Sequence, residues 1–311
     1  MNPINNNRFF RVVTVAALLS TINTAQAMST QTAPANWRFN SSTQFNGVNF
    51  DGVARLSFDN DGDLNNGNYI CSGTLLSGGQ YVLTAAHCAD DFNIMQIDFG
   101  VNNNIATATR SVSATYIHSG WSGALDRGAD IAILKLDQII SGITGFNLHN
   151  ASALGGSVLM MGYGTTNTGG STSAPNWSEY GHGHWGVNTY DVTGLNFLTA
   201  ADGLNGVAVP PVTYGVEYVA DFDNGTSTNN TLERVAALTG NQWSSGLGVE
   251  NEAMITGGDS GGGDFFWDGS EWLLTGVHSW GWQFCGGRIS PSCDYSNLNS
   301  GSYGDLMGST A

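Results

Sequence analysis

Short apolar stretches separated by polar turns recur along most of the chain. Each spans five to seven residues, and clusters of Gly, Asn and Ser lie between them. The stretches are residues 53–58, 81–85, 94–99, 131–136, 158–162, 216–222 and 272–278. Such lengths suit β-strands, and the turn residues between them are typical of an all-β barrel or sandwich. Sustained helical periodicity is best developed at residues 232–238, which predicts one short helix.

Three regions lack the strand pattern. Residues 28–45 are polar and weakly patterned, so we expect a loose N-terminal segment. Residues 165–180 and 223–231 are rich in Gly, Ser, Thr and Asn, which predicts surface loops. The 311 residues are enough for one large domain or two modest ones, with a substantial core.

The first 27 residues have the pattern of a secretory signal peptide. Arg8 and Arg11 precede an apolar run at residues 12–19, and residues 25–27 read Ala-Gln-Ala, the small-x-small pattern of a cleavage site. The run is too short to span a bilayer as a helix. An N-terminal amphipathic helix is the alternative, but the segment has no acidic residue and no polar stripe. We expect cleavage near Ala27 and a secreted protein, extracellular or periplasmic.

Composition and charge narrow the classes of function. Charged residues make up 11% of the chain, Gly occupies 43 positions, and the formal net charge is −16. A protein this acidic lacks the basic surface that binds nucleic acid and is repelled by anionic membranes. We therefore expect neither a nucleic-acid partner nor membrane insertion. The high hydrophobic content, 41%, also excludes a disordered chain.

The four cysteines fit a pair of disulfides. They are an even number in a chain expected to be exported, where oxidising conditions favour disulfides over a metal site. Three pairings are possible, and sequence spacing favours the two local ones. A metal site would more often show a C-x-x-C motif, which this chain lacks. The favoured pairs are Cys71 with Cys88 and Cys285 with Cys293.

Three segments carry residues capable of nucleophilic catalysis. Residues 83–88 read Leu-Thr-Ala-Ala-His-Cys, residues 129–134 read Ala-Asp-Ile-Ala-Ile-Leu, and residues 257–263 read Gly-Gly-Asp-Ser-Gly-Gly-Gly. A serine hydroxyl needs an imidazole to take its proton, and the imidazole needs a buried acceptor to hold one tautomer. Glycines beside the serine let backbone N–H groups point at a developing oxyanion. Each segment alone could be a plain turn, a packed histidine or a strand cap.

Taken together, these segments resemble the chymotrypsin/trypsin-like serine endopeptidase family, which has its triad in the order His, Asp, Ser. The resemblance covers roughly residues 50–306 and is poor at residues 165–250. It implies an all-β fold of two Greek-key β-barrels, residues 46–150 and residues 151–311, with the active site in the cleft between them. The matching motifs are residues 83–88, 130–134, 258–262 and 279–281, supported by residues 71–75 and 162–164.

The resemblance also implies a role for each site residue. Ser260 would be the nucleophile, His87 the general base and then acid, and Asp130 the acceptor that orients His87. The N–H groups of Gly258 and Ser260 would form the oxyanion hole. The strand expected to pair with the substrate backbone contains Ser279, Trp280 and Gly281.

Specificity is expected from residues around the pocket that the family resemblance identifies. Met254 occupies the position where trypsin-like members carry an acid for Arg or Lys, and Ile255 follows it. Gly281 and Gly301 align with glycines that leave the pocket open to a large side chain. We therefore expect cleavage after large apolar residues. The alternative is cleavage after glutamate, because His278 aligns with a histidine that meets the substrate carboxylate in glutamate-specific members. His278 could instead simply pack in the barrel, with its ring nitrogens satisfied by backbone or water.

Two departures from the family pattern matter. Thr256 stands where members have a cysteine before the nucleophile, so the resemblance leaves Cys293 as the partner of Cys285. No Arg or Lys followed by Ile-Val-Gly-Gly marks an activation site, although Asp259 holds the place of the acid that pairs with the freed N-terminus. Signal-peptide removal, a further cut within residues 28–50 or an internal donor could each supply the missing partner.

The remaining expectations concern cofactors and rival functions. No cofactor or catalytic metal is expected. Residues 59–63 and 221–225 hint at calcium, but acidic hairpin turns explain both without an ion. Two alternative functions are an inactive protease-like binding module and an exported esterase. An esterase would more often have a Gly-x-Ser-x-Gly motif and triad residues in the chain order Ser, Asp, His. The expected partner is a protein or peptide substrate, and the expected state is a monomer.

Overall fold

The computed structural model describes residues 28–65, 68–171, 175–204, 216–227, 229–243, 252–282 and 304–311. The predicted signal peptide, the predicted Cys285–Cys293 pair and Gly301 lie outside these residues. Strands dominate the described part of the chain, which contains two α-helices, so the all-β class is confirmed. None of its helices is long and apolar enough to cross a membrane.

The N-terminal segment is built into the fold. It contains four short strands: β1 (Ser29–Thr30), β2 (Arg38–Phe39), β3 (Gln44–Phe45) and β4 (Val48–Asn49). The expectation of a loose segment at residues 28–45 is therefore wrong at its start, because Met28 is fully buried and β1 pairs with strands far away in sequence. The segment resembled a loop because its sequence is polar. It is ordered nevertheless, because its backbone groups form hydrogen bonds with other strands.

Six antiparallel strands then close into the first barrel. They are β5 (Val53–Asp59), β6 (Tyr69–Leu75), β7 (Tyr81–Thr84), β8 (Ile94–Phe99), β9 (Ala108–Ile117) and β10 (Ala132–Leu136). Their order around the barrel is β10-β7-β6-β5-β8-β9. Four of the seven predicted strands lie here. The predicted set omitted β6 and β9, and β9 alternates between intermediate and exposed positions without a buried apolar run.

The second region is a nine-stranded sheet with a small three-stranded sheet beside it. Its strands are β11 (Asn147–Leu148), β12 (Ser157–Gly162), β13 (Asn167–Thr168), β14 (Gly183–Thr189), β15 (Val192–Thr193), β16 (Glu217–Asp221), β17 (Ala253–Met254), β18 (Gly263–Trp267), β19 (Trp272–Trp282) and β20 (Leu306–Thr310). The main path runs β15-β16-β20-β19-β18-β12-β14-β2, with β11 beside β19. The small sheet has the order β13-β1-β17.

Two helices pack on this second region. They are α1 (Gly194–Leu204) and α2 (Thr231–Thr239). The predicted helix at residues 232–238 is confirmed as α2. It begins at Asn230, whose side chain accepts a hydrogen bond from the N–H of Glu233 at 2.9 Å, and it ends at Gly240 in the left-handed conformation.

The core is continuous between the first barrel and the second region. Phe50 and Phe146 stack with ring centroids 5.0 Å apart, and both contact Phe265 of β18, at 4.9 and 4.6 Å. Trp272 packs edge-on against Phe50 at 5.8 Å. We call this group of four rings the aromatic seam. It joins the first barrel to the second region through one shared core.

Candidate active site

A strand pairing brings His87 and Asp130 together. His87 lies in a single 3₁₀ turn just after β7, and Asp130 lies two residues before the first residue of β10. Since β7 and β10 pair antiparallel, with Ala132 opposite Thr84, the two functional side chains meet at the end of the pair. The barrel thus assembles two of the three residues of the expected triad from positions 43 residues apart.

Asp130 holds His87 in one orientation. Oδ1 accepts the backbone N–H of His87 at 2.9 Å, and Oδ2 accepts its Nδ1–H at 2.7 Å. Ser279 of β19 donates to the same Oδ2 at 2.5 Å, so the second region also contributes to this carboxylate. Asp130 is fully buried, while the His87 side chain is 26% exposed. The imidazole therefore keeps an accessible face next to a fixed anion.

The same pair shifts both pKa values. Burial by itself would raise the pKa of Asp130, but the charge of His87 and the hydrogen bonds from His87 and Ser279 lower it. Burial would likewise lower the pKa of His87, but the charge and hydrogen bond of Asp130 raise it. Asp130 is thus held as an anion, and His87 is made a stronger base, as proton abstraction from a hydroxyl requires.

The disulfide between Cys71 and Cys88 ties the histidine turn to β6 and to the nucleophile turn. This pairing is one of the two predicted from spacing, and it is confirmed. Sγ of Cys88 lies 3.6 Å from the carbonyl oxygen of Ser260, and a ring nitrogen of His87 lies within 4.8 Å of both sulfurs. His87 and Ser260 are thereby brought to the same place. The sulfurs are bonded to each other, so this cluster is not a metal site.

Glycines give the turn around Ser260 its shape. Gly258 has φ +97° and Gly261 has φ +81°, a region that other residues rarely adopt. A Cβ on Gly261 would also collide with Oγ1 of Thr84. The N–H of Ser72 donates to the carbonyl of Ser260 at 2.7 Å, which anchors the turn to the first barrel.

Asp259, next to the candidate nucleophile, is fully buried behind the turn. Its carboxylate accepts backbone N–H groups from Gly164 at 3.2 Å and Thr256 at 3.1 Å. Burial raises its pKa to about 7, and the charge of His278 and these two hydrogen bonds offset part of the effect. Among the described residues its carboxylate has backbone partners and a nearby imidazole, but no direct ammonium or guanidinium contact.

The expected substrate strand is present, but its tryptophan is covered. Ser279, Trp280 and Gly281 lie on β19, and Gly281 is exposed. The Trp280 ring packs on Gly308 of β20 within the core around α1 and α2, and its Nε1 donates to Glu217 at 3.4 Å. Burial raises the pKa of Glu217 to about 7, partly offset by hydrogen bonds from Gly128 and Trp280.

The other residues expected at the pocket are buried. Met254 and Ile255 pack in a core cluster with Met28. His278 is fully buried, and both of its ring nitrogens are hydrogen-bonded, to the carbonyl of Asp259 and to the carboxylate of Asp264. In this arrangement His278 has no free ring nitrogen for a substrate carboxylate.

Several residues of this site were missed by sequence reasoning. Ser72 donates through Oγ to Gly258 O at 2.9 Å and accepts the Tyr163 N–H at 2.9 Å, which joins the two parts of the molecule. Asp264 was also missed, although it lies four residues after Ser260. A buried acid on a strand has no sequence signal unless its partner is known.

Comparisons with known proteins concern the family and the fold. Residues 48–182 match the family model of trypsin. The structure is similar to that of a protein described as HL collagenase, with 17% identity over 84% of this chain and 88% of that one, and a TM-score of 0.50. It also matches the protease Anisep from Arthrobacter nicotinovorans, with 15% identity over 84% and 89% of the two chains and a TM-score of 0.46.

The closed barrel, the adjoining sheet and the family match define a chymotrypsin-like protease fold. The match to the trypsin family model over residues 48–182 and the fold shared with HL collagenase support a trypsin/chymotrypsin-like serine protease, that is, a serine endopeptidase. The family match ends at residue 182, before the turn that contains Ser260. The assignment of Ser260 therefore depends on the geometry of the second region.

Proposed function

We propose that this endopeptidase is secreted and cleaves peptide bonds through His87, Asp130 and Ser260, by way of an acyl-enzyme. The observation that carries the proposal is the fixed His87–Asp130 pair, with its 2.7 Å hydrogen bond, placed beside the glycine-rich turn of Ser260. The Cys71–Cys88 disulfide supports an oxidising compartment outside the cytoplasm.

In the proposed mechanism Ser260 Oγ attacks the scissile carbonyl carbon while Nε2 of His87 takes the hydroxyl proton. Asp130 stabilises the imidazolium that forms. His87 then gives the proton to the leaving amine, and the C–N bond breaks to leave an acyl-serine. A water molecule repeats the sequence, its proton passing through His87 back to Ser260, and releases the acid product.

The oxyanion of each tetrahedral intermediate would be held by the N–H groups of Gly258 and Ser260. One such donor contributes about 3–4 kcal/mol to transition-state stabilisation in comparable sites. The left-handed conformation of Gly258 and the Ser72 anchor on Gly258 O support a preorganised turn. No cofactor or metal enters this proposal.

Activation is proposed to need only removal of the signal peptide. Met28 is fully buried, and its carbonyl accepts the N–H of Asn167 at 3.5 Å, in the register that pairs β1 with β13. Three residues before Asn167 lies Gly164, which donates to the Asp259 carboxylate. On its other side β1 pairs with β17. Thr256, whose N–H is the second donor to the Asp259 carboxylate, lies two residues after the end of β17.

A freed ammonium at Met28 would therefore start beside the backbone groups that surround Asp259. A buried carboxylate without a compensating charge costs several kcal/mol, so this pairing would stabilise the nucleophile turn. Mass spectrometry of the active species tests the idea. We expect an N-terminus at Met28, and an active form that starts beyond Thr30 would contradict it, since β1 would then be lost.

We propose cleavage after large apolar residues. Met254 and Ile255, where trypsin-like members have their acid, are apolar and give a basic side chain no counter-charge. Cleavage after glutamate is less well supported, because both ring nitrogens of His278 are already bonded. Kinetics on matched peptides with Phe, Leu, Met, Glu or Arg before the scissile bond test this. A kcat/KM highest for Arg would contradict both versions.

A fluorophosphonate probe distinguishes the enzyme from an inactive protease-like binding module. Purified mature protein should be labelled once, on Ser260, as peptide mapping would show. Ser270, an exposed serine in the turn before β19, provides the matched control. Ser260→Ala should abolish labelling and Ser270→Ala should leave it unchanged. Absence of labelling in the wild-type protein would favour the binding module.

A further inference from the structure

His278 has an unusual position behind the nucleophile turn. It lies on β19 with its side chain fully buried, and each ring nitrogen has a partner. Nδ1 lies 3.1 Å from the carbonyl oxygen of Asp259, and Nε2 lies 2.8 Å from Oδ1 of Asp264. A carbonyl oxygen can only accept, so Nδ1 must donate a proton to it.

Asp264 fixes the orientation of the imidazole. It is fully buried on β18, and its second oxygen accepts the hydroxyl of Tyr190 at 2.5 Å. Burial alone would lower the pKa of His278, but the charge and hydrogen bond of Asp264 raise it, which favours an imidazolium with both nitrogens donating. The chain Tyr190–Asp264–His278 thus ends in an N–H aimed at the Asp259 carbonyl.

That carbonyl belongs to a peptide group with a second role. The peptide between Asp259 and Ser260 is planar, so the direction of its C=O determines the direction of its N–H. The N–H is that of Ser260, one of the two proposed oxyanion donors. The backbone of His278 holds the following residues as well, because its carbonyl accepts the Gly261 N–H at 2.8 Å and its N–H donates to Gly262 O at 2.9 Å.

The turn needs such a restraint because its own residues provide little. Gly258, Gly261 and Gly262 have no side chains to limit rotation of the neighbouring peptide planes. The N–H of Gly262 donates to the Asp259 carbonyl at 2.7 Å, but it belongs to the same flexible turn. His278 provides a second donor to this carbonyl from a rigid strand, where it is locked from behind by Asp264.

We propose that His278 is a positioning residue for catalysis, which holds the Asp259–Ser260 peptide plane so that the Ser260 N–H faces the oxyanion. This role rests on the proposed function and adds to it a residue outside the triad. His278 does not touch the substrate in this role, and it acts through the hydrogen bond from Nδ1. The Nε2 bond to Asp264 serves to hold the ring.

Two isosteric substitutions separate the bonds of the two ring nitrogens. The amide nitrogen of asparagine occupies the place of Nδ1, so His278→Asn keeps the donor to Asp259 and loses the bond to Asp264. The amide nitrogen of glutamine reaches the place of Nε2, so His278→Gln keeps Asp264 and loses Asp259. Both variants remove the imidazolium, which makes them matched controls for the loss of charge.

The expected result is a difference in kcat. Small misplacements of catalytic groups can cost about 10²-fold in rate. We expect His278→Gln to lose at least about tenfold in kcat with KM changed less than about twofold, and His278→Asn to stay within about threefold of wild type. A peptide boronate, which forms the tetrahedral adduct, should bind His278→Gln more weakly by a similar factor.

The Tm of each variant is measured as well. If His278 had a purely structural role, its substitution would lower kcat only through a loss of stability. Phe58→Leu, on β5 of the first barrel where the ring stacks on Tyr69, provides a variant that lowers Tm without touching the turn. Assays run well below every Tm should find its kcat unchanged. If His278→Gln does not fold, His278→Ala against His278→Asn makes the same comparison, since only asparagine restores the donor.

Two results would overturn the proposal. One is a His278→Gln enzyme with wild-type kcat and wild-type boronate affinity. The other is equal losses in the glutamine and asparagine variants that follow their Tm values. Failure of the proposed function has a different signature, because the wild-type protein itself would then show no hydrolysis or labelling that depends on Ser260.

Discussion

One buried carboxylate of the first barrel and a cluster of acids in the second region have very different partners. In the first barrel, Asp98 is 2% exposed and forms an ion pair with Arg55, whose Nη2 lies 2.9 Å from Oδ2. Thr109 and Gln96 donate to the same carboxylate at 2.7 and 3.0 Å. The charge of Asp98 is thus met by a cation and by several hydrogen bonds.

In the second region, acidic groups are buried beside each other. Burial raises the pKa of Asp191 to about 9 and that of Asp223 to about 8, and repulsion from Asp221 and Glu252 adds to both shifts. Oδ1 of Asp223 has no hydrogen-bond partner within the described ranges. Asp98 is therefore stabilised as an anion by a cation, whereas burial and mutual repulsion favour the protonated forms of Asp191 and Asp223. The two halves should respond differently to the same substitution.

The largest expected effect is the loss of kcat when a residue of the proposed triad is replaced, because the triad combines residues from both halves. His87 comes from the first barrel and Ser260 from the second region, so His87→Ala and Ser260→Ala should each lower kcat by about 10⁵–10⁶, with little further loss in the double variant. Steady-state kinetics with active-site titration measures this. His118→Ala, at an exposed histidine, is the control and should have wild-type kcat. Independent, multiplying losses would contradict a shared site.

The next effect tests the ion pair of the first barrel. Asp98→Asn would leave the buried Arg55 charge without its counter-charge, and such a change costs about 3–5 kcal/mol in the free energy of unfolding. Urea titration at neutral pH measures it. The double variant Asp98→Asn/Arg55→Met should recover much of the loss. A single variant within about 1 kcal/mol of wild type would mean that solvent compensates Arg55.

The disulfide of the first barrel should contribute somewhat less. Cys71 and Cys88 are 17 residues apart, and closing a loop of this length stabilises by about 3 kcal/mol in the chain-entropy description. Cys71→Ser/Cys88→Ser should lower the unfolding free energy by about that amount and also reduce kcat, since the bridge places the His87 turn beside Ser260. A destabilised variant with full kcat at low temperature would separate the two roles.

The smallest effect is expected in the second region and has the opposite sign. Asp223→Asn removes a buried acid that is repelled by its neighbours. The folded pKa of about 8 exceeds the ordinary value of 3.8, so the folded state binds more protons in that window and the wild type loses stability as pH rises through it. The variant should match wild type near pH 4 and exceed its Tm at pH 8. A lower Tm at pH 8 would show that the ionised carboxylate is stabilised by a cation.

Prediction from sequence succeeded where the signal is local. The Cys71–Cys88 pair follows from sequence spacing, and helix α2 follows from apolar periodicity. Helix α1 was missed because Gly194, Asn196 and Gly203 are poor helix formers, and it is stabilised by packing of its apolar side chains around Val219 and Leu232. Tertiary contact overrides weak propensity there.

The contacts that prediction missed join residues far apart in sequence. Strand β1 is two residues long, and its partners β13 and β17 lie more than 130 residues away, so no local pattern could reveal it. The ring of His278 was assigned two possible roles because its burial and its bond to Asp264 are properties of the folded sheet. Motifs identify the reacting groups, whereas the groups that hold them come from topology.

The aromatic seam has a consequence for how the enzyme loses activity. Phe50, Phe146 and Phe265 belong to both halves at once, with centroids 4.6–5.0 Å apart, so separating the halves would expose the rings of each to water. Because the two halves share one core, we expect them to unfold together in a single calorimetric transition. The van't Hoff enthalpy of this transition should equal its calorimetric enthalpy. We therefore expect heat inactivation to be all-or-none, without a folded half-molecule that exposes its strand edges to aggregation.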